Sequence, residues 1–534
     1  MIFKLKKKKI QELIESFGKI KDDSFNFNLI EKYFKAKDNS DSFQTLSDRT
    51  CNDLDFHELF MFLDRTASKV GQQYLFQRLR TIPKSTENVN EKLVELLSNS
   101  PELRTSIQLK LGRLTNDDAF FITTLFQDEH MKKPKWFFIT KLLSFTSLLS
   151  IILIPFNPQM VFVLSGVFVV NLVIHFWNKR NLYQYLDSIP QLLRLIKVAR
   201  ELFFIESLKV LNPNLPKSLD ITISIKNRMS FFRMESKMEN DISAFFWGFL
   251  ELFKIAFLLE PLFLFGVLKR LDSKRKEIED IFRFVGEIDF LISIASLRNG
   301  LSTYCQPTII NEYKKLIAQD IYHPLIYDCI ENNLKVNKKS ILLTGSNMSG
   351  KTSFIRTIGV NTITGLTLNT CFAKSFSMPK MRLFSAIRIS DDLMNDKSYY
   401  FEEVLTIKEM IDKSEDDKPN LFLLDEIFKG TNTIERISAG KAVLSSLTKN
   451  ENIVFVSTHD IELAELLKYE FDLYHFSEKV DNNTVDFDYK LKTGKLKTRN
   501  AIRILQINNY PDLIVNEAIE ISKEFDKNTV ANKL

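Results

Sequence analysis

The run Ile341-Leu342-Leu343-Thr344 passes directly into Gly345-Ser346-Asn347-Met348-Ser349-Gly350-Lys351-Thr352. A short apolar run entering G-x-x-x-x-G-K-[ST] reads as a buried strand feeding a phosphate-binding loop. Gly345 and Gly350 permit the tight backbone that turns consecutive N–H groups toward phosphate oxygens. Lys351 is placed to reach β- and γ-phosphates, and the Thr352 hydroxyl to ligate Mg²⁺. Helical character from Thr352 to Ile363 aims a positive dipole end at the same charge. The alternative is an ordinary Gly-containing turn, against which the motif is specific. The expectation is an α/β domain that binds a nucleoside triphosphate with Mg²⁺.

Such a loop needs a second, acidic site. Asn420-Leu-Phe-Leu-Leu-Asp425-Glu426 supplies one, a buried-strand pattern ending in two carboxylates. Asp425 is the candidate Mg²⁺ partner, and Glu426 the candidate group that orients or deprotonates the attacking water. Ile453-Val-Phe-Val-Ser-Thr-His459 is a further apolar strand ending in polar residues. His459 is a candidate contact to the γ-phosphate or its water, because ligands of parallel sheets bind at the carboxyl ends of the strands. The alternative for a lone histidine is a structural role.

The surrounding chain has 534 residues, enough for about three domains. Apolar content of 45%, charge of 26% and few Gly and Pro suit a folded, helix-rich protein and exclude a disordered one. A net charge of +6 is too small by itself to indicate nucleic-acid binding. Cys51, Cys305, Cys329 and Cys371 are scattered with no C-x-x-C, which fits a reducing compartment and offers neither a zinc site nor a disulfide frame. Residues 1–45 form a basic N-terminal segment. Lys6 to Lys9 are either phosphate or headgroup contacts or a solvated terminus, and no apolar stretch follows them to make a cleavable signal.

Residues 46–130 read as the first part of a helical core, with Leu54, Leu59, Phe62, Leu63, Leu75, Phe76 and Leu79 at helical spacing. Residues 131–180 read as a transmembrane helical hairpin. Trp136–Ile154 and Met160–Trp177 are apolar runs joined by the turn PFNPQ, with Lys132, Lys133 and Lys135 before and Lys179 and Arg180 after. Basic residues at both outer ends place both termini on the cytoplasmic side, and the two tryptophans suit the interface. A buried helical pair or a partner-binding surface is the alternative. Residues 181–303 continue the helical core. Within them, Ala244–Leu268 is apolar but interrupted by Glu251, Lys254, Glu260 and Pro261, so it reads as a buried or interfacial helix, with a further membrane segment as the other option. From 304 to 534 short strand patterns alternate with helices, as in a largely parallel α/β domain.

Here the residues carry a resemblance. Thr344–Arg356 (TGSNMSGKTSFIR), Leu421–Gly440 (LFLLDEIFKGTNTIERISAG) and Val454–Leu466 (VFVSTHDIELAEL) resemble the ATPase domain of MutS-type DNA mismatch repair proteins. Asn347-Met348 inside the loop and DEI-x-x-G-T-x-T from Asp425 to Thr433 are more particular than generic nucleotide-binding motifs. Arg388–Val404 resembles the family's segment that reaches the nucleotide of the opposite subunit, with Ser398 facing that phosphate. Phe487–Pro511 and the helical stretch Leu54–Leu75 are also similar to the family. The likeness covers about 50–130 and 280–525.

The resemblance implies an ABC-like P-loop ATPase domain behind an all-α lever/core domain, working as a homodimer with two composite ATP sites. Gly345, Ser346, Asn347, Met348, Ser349, Gly350, Lys351, Thr352 and Ser353, with Ser398 in trans, are the implied nucleotide contacts. Thr352 and Asp425 are the implied Mg²⁺ ligands, and Glu426, His459 and Lys351 the implied catalytic residues. The chain departs from the family in three respects: no mismatch-reading domain precedes the helical core, the apolar hairpin stands where long helices normally run toward a DNA clamp, and Tyr399-Tyr400 follow Ser398. The expected function is an ATP-binding and ATP-hydrolysing protein tethered to the cytoplasmic membrane, acting on DNA in a mismatch-repair- or damage-related role. The alternative is an ATPase whose dimerisation acts on a protein partner without reading mismatches. A transport ATPase is weaker, since two spans give no substrate pathway in one chain.

Overall fold

A computed structural model describes the chain except residues 1, 86–88, 130–133, 227–243, 347, 389–398, 481–484, 495, 497–500, 508–509 and 532–534. It divides into two compact units: residues 1–39, 63–80 and 89–300, and residues 40–62, 81–88 and 301–534. The helical segment expected over 46–130 is therefore shared between the two, because Asp53 and Leu54 are buried among residues of the second unit.

The first unit is helical. Its principal helices are α1 (Phe137–Leu153), α2 (Met160–Phe203), α3 (Ala244–Phe257), α4 (Leu259–Asp272) and α5 (Arg275–Gly300). The core lies along α5, where Ile281, Phe282, Ile288, Phe290 and Leu291 are fully buried. Helix Lys69–Arg80 packs there, with Tyr74 edge-on to Phe290 at 6.0 Å. Asp289 fixes the start of that helix by accepting from the Ala67 and Ser68 N–H groups at 2.8 and 2.9 Å. These donors precede the first turn, so a carboxylate there satisfies groups that have no helical partner.

α1 and α2 form an antiparallel apolar pair. Phe138, Phe145, Phe162 and Val173 face outward, the Phe162 side chain 80% exposed. Met160–Trp177 is long and apolar enough to cross a membrane by length and composition, and only 11% of it is buried, whereas α1 is shorter. The helix does not stop at the expected hairpin boundary. It runs on as one 44-residue helix through Pro190 to Phe203.

The second unit is a mixed α/β structure. The strands of its two larger sheets, in chain order, are β1 (Thr308–Ile309), β2 (Lys315–Ile321), β3 (Asn332–Asn337), β4 (Ser340–Thr344), β5 (Ser375–Met378), β6 (Arg382–Ala386), β7 (Asn420–Asp425), β8 (Ile453–Thr458), β9 (Phe471–His475) and β10 (Lys492–Thr493). One sheet has the order β10-β9-β4-β8-β7-β6, parallel throughout except for the edge strand β10. A second has the order β1-β5-β2-β3. Central strands β4 and β8 are buried along their whole length, as continuous apolar runs in a sheet covered on both faces must be. The helices that flank these strands include α6 (Lys351–Leu368), α7 (Tyr399–Ser414), α8 (Thr433–Leu447) and α9 (Ile461–Leu467).

An N-terminal piece is built into this unit. Ser47 caps the helix Asp48–Asp53 by accepting from the Thr50 N–H. At the end of that helix, the fully buried Asp53 accepts from Ser385 Oγ at 2.6 Å and from the Ile387 and Arg388 N–H groups at 3.1 and 2.7 Å. A buried carboxylate persists only with such a complete set of donors.

Candidate nucleotide site

Three parallel strands end together. The register pairs Thr344 with Thr458 and Asp425 with Ser457, so the residues after β4, β7 and β8 emerge side by side at the carboxyl edge. The loop after β4 turns on two left-handed glycines, Gly345 at φ +153° and Gly350 at φ +103°, and delivers Lys351 as the first residue of α6. A Cβ at Gly345 would lie 2.8 Å from Ser349 Oγ and 2.9 Å from the Phe476 carbonyl, so the position is sterically reserved. Met348 also has a left-handed backbone, at φ +68°, and projects into solvent.

Lys351 folds back over its own loop. Its ammonium donates to the Gly345 and Ser346 carbonyls at 2.9 and 2.8 Å and lies 3.5 Å from His459 Nε2. Burial lowers its pKa, an effect that Glu426 and Asp425 oppose. Thr352 Oγ1 donates to Asp425 Oδ2 at 2.7 Å, and Ser457 Oγ holds the other Asp425 oxygen. Glu426, left-handed at φ +51°, pairs with His459 Nε2 at 2.6 Å and with Lys429 Nζ at 2.9 Å. Burial alone would raise the Glu426 pKa, but the hydrogen bonds from His459 and Lys429 reverse this and hold it at about 2. Glu426 is thus an ionised carboxylate locked between two cationic or donor side chains.

A cavity of about 540 Å³ opens beside the loop. The Met348–Phe354 stretch and Glu426 line one side, and Tyr322, Ile326, Ile330, Phe476 and Tyr489 line the other. Ser349 Oγ is buried there with no hydrogen-bond partner among the described residues. Its size and mixed lining, polar at the loop and aromatic opposite, fit a ligand with an anionic end and a flat apolar end.

Of the residues singled out in the sequence, Gly345, Ser346, Met348, Ser349, Gly350, Lys351, Thr352, Ser353, Asp425, Glu426 and His459 stand in or next to this site. Asn347 and Ser398 lie outside the described residues. Sequence reasoning missed Lys429, Ser457, Tyr489 and Glu478, which accepts from Ser346 Oγ at 2.7 Å. Lys429 and Ser457 sit inside the quoted motifs and were legible there. Tyr489 lies in the Phe487–Pro511 stretch already noted as similar to the family, where no role was assigned to it, and Ile326 comes from a distant segment with no motif.

Residues 341–526 match the family model for MutS domain V. The chain is 28% identical over 254 residues to a DNA mismatch repair protein MutS of Aquifex pyrophilus, covering 45% of this chain and 29% of that protein. It is 27% identical over 278 residues to the DNA mismatch repair protein MSH3 of Kluyveromyces lactis, covering 48% and 26%. It is 29% identical over 268 residues to a MutS of Petrotoga mobilis, covering 48% and 32%. The match therefore spans under a third of the length of these relatives.

Proposed function

We propose that this chain, a MutS-family protein through its domain V, is an ATPase of the ABC-like P-loop kind that works as a homodimer and is tethered to a membrane. The observation that carries the reading is the meeting, at one sheet edge, of Lys351, the Thr352–Asp425 hydrogen bond and the Glu426–His459 pair. Those are the groups that binding a triphosphate, holding Mg²⁺ and activating water require.

The residues fit both groups. The orphaned Ser349 hydroxyl and the glycine-lined cradle suit phosphate, and the Thr352 hydroxyl with the Asp425 carboxylate is an all-oxygen donor pair of the type Mg²⁺ takes. Bound there, Mg²⁺ supplies charge neutralisation on the phosphates. Lys351 anchors phosphate, releasing the two carbonyls it now contacts. Glu426 orients water once its hold on Lys429 loosens, and His459 links Glu426 to the loop. Ser398 completes the site of a second subunit.

The test is nucleotide binding and turnover by the purified, detergent-solubilised chain. Lys351→Ala should weaken ATP binding on the order of 10- to 100-fold, the worth of a charge-assisted contact. Glu426→Gln should bind ATP normally yet turn over about 100-fold or more slowly. Normal turnover in both variants would sink the proposal.

On what the cycle drives, we favour action on DNA in a repair-related role, as the names of the relatives suggest. One observation favours the second reading, action on a protein partner without mismatch recognition: the outward-facing apolar α1–α2 pair in the first unit. Salt-sensitive, nucleotide-dependent DNA binding with stimulated turnover supports the first. Turnover indifferent to DNA supports the second. Protein recovered from the membrane fraction after carbonate extraction supports the tether, with the second unit in the cytoplasm.

A further inference from the structure

The apolar surface of the first unit does not end at the α1–α2 hairpin. α3 is only 14 residues, about 21 Å, too short to cross a hydrocarbon layer of about 30 Å. It runs antiparallel to α2, because Glu251 Oε1 meets His175 Nε2 at 3.4 Å while the Ala256 carbonyl accepts from Asn171 Nδ2 at 2.8 Å. The chain then reverses at Leu258, whose φ of +47° is left-handed. α4 leads back. Glu260 Oε2 is 3.6 Å from His175 Nδ1, and Phe265 meets Phe137, at the start of α1, ring to ring at 5.0 Å. The tryptophans at the open end of the hairpin, Trp136 and Trp177, touch edge to face at 5.1 Å.

We infer that α3 and α4 form a re-entrant helical pair that enters the same membrane leaflet as the α1–α2 hairpin and turns back without crossing. This rests on the membrane reading given above. Its tip reaches the level of Asn171, six residues or about 9 Å beyond Trp177 along α2. Three features suit that position. The reversal is shielded: Leu258 is fully buried, and irregular backbone at membrane depth is tolerated only inside protein. The ionisable groups are paired with one another: Lys254 Nζ bridges Glu251 at 2.6 Å and Glu260 at 2.7 Å, with His175 beside both. Ionisable groups at this depth pair with one another and face inward. The outward surface is apolar: Leu252, Phe253 and Phe263 are each about half exposed. In water that surface would be a liability; against acyl chains it is matched.

The experiment uses the full chain reconstituted into phosphatidylcholine–phosphatidylglycerol liposomes. Cysteines are introduced singly at Phe253, Phe263, Phe162 and Lys209, and labelling by a charged, membrane-impermeant maleimide is followed by peptide mass spectrometry. Phe253→Cys and Phe263→Cys should label roughly tenfold or more slowly than Lys209→Cys, as does Phe162→Cys, and detergent should erase the difference. A fluorophore at Phe253→Cys should be quenched by brominated acyl chains. If Phe162→Cys is protected but Phe253→Cys labels like Lys209→Cys, or is protected without bromine quenching, the re-entrant pair is refuted and the hairpin stands. If all four label alike, the membrane reading itself falls.

Discussion

Gly359 sits where α6 crosses the central sheet, and replacing it with alanine tests how the N-terminal piece is built into the second unit. A Cβ at that position would lie 2.7 Å from Leu423 Cδ1 and 2.9 and 3.1 Å from the two Leu54 methyls. Carbon atoms pack best at about 3.5–4.0 Å, so the overlap approaches one ångström. Both leucines are fully buried and have no room to retreat. Overpacking of this kind costs about 1–3 kcal/mol, while Gly→Ala in a helix interior returns about 1 kcal/mol. The expected net loss is about 0–2 kcal/mol. Leu54→Ala alone should cost about 2–5 kcal/mol through the cavity it leaves. Combining the two lets the new methyl occupy part of that cavity, so the double variant should cost at least about 1 kcal/mol less than the sum. All three tryptophans, Trp136, Trp177 and Trp247, belong to the first unit, so fluorescence would report the wrong one. Hydrogen exchange of peptides from α6 and β7 reads the affected elements directly. If Gly359→Ala increases protection by the full helix-propensity gain, or the two changes add within about 0.5 kcal/mol, Leu54 does not pack against α6 as described.

Asp53→Ala should strip three donors of their acceptor and destabilise the second unit by about 3–5 kcal/mol, read as lost protection in β6. Lys429→Met should let the Glu426 pKa climb from about 2, moving the acid limb of the ATPase pH profile up by roughly half a unit to one unit. Burial, then the nearby Arg356 charge, hold the His323 pKa at about 4, below the 6.5 of an exposed histidine. The folded state then binds fewer protons between those values, so its stabilisation is whole above pH 6.5 and declines as pH falls toward 4. The decline should amount to roughly 2 kcal/mol, and His323→Gln should flatten a melting-temperature series from pH 7.5 to 5.

The elements that the sequence revealed are those with an unbroken physical pattern. β4, β7 and β8 are apolar on both faces and each ends in polar residues, so their positions and the groups they present were readable. Strand β3 alternates strictly, with Asn332, Leu334 and Val336 inward, but its three asparagines disguise it as loop. Asn332 turns inward because its amide bonds the Tyr489 carbonyl and the Leu491 N–H, contacts with residues more than 150 positions away. The aromatic side of the cavity was hidden for the same reason, being assembled from separate segments. The continuation of α2 past Pro190 was hidden differently. Proline removes one hydrogen bond and kinks a helix without always ending it.

That unbroken helix has a mechanical consequence. Forty-four residues extend about 66 Å, and an α-helix of that length behaves as a strut. A tilt of about 5° at the Phe203 end displaces the Met160 end by about 6 Å, roughly one helical turn. Pro190 stands thirteen residues from the Phe203 end and is the natural point of flexure, so the strut divides into a short arm and one about twice as long. Small rotations applied to the short arm are magnified into motion among the apolar side chains at the far end, without any helix having to unfold.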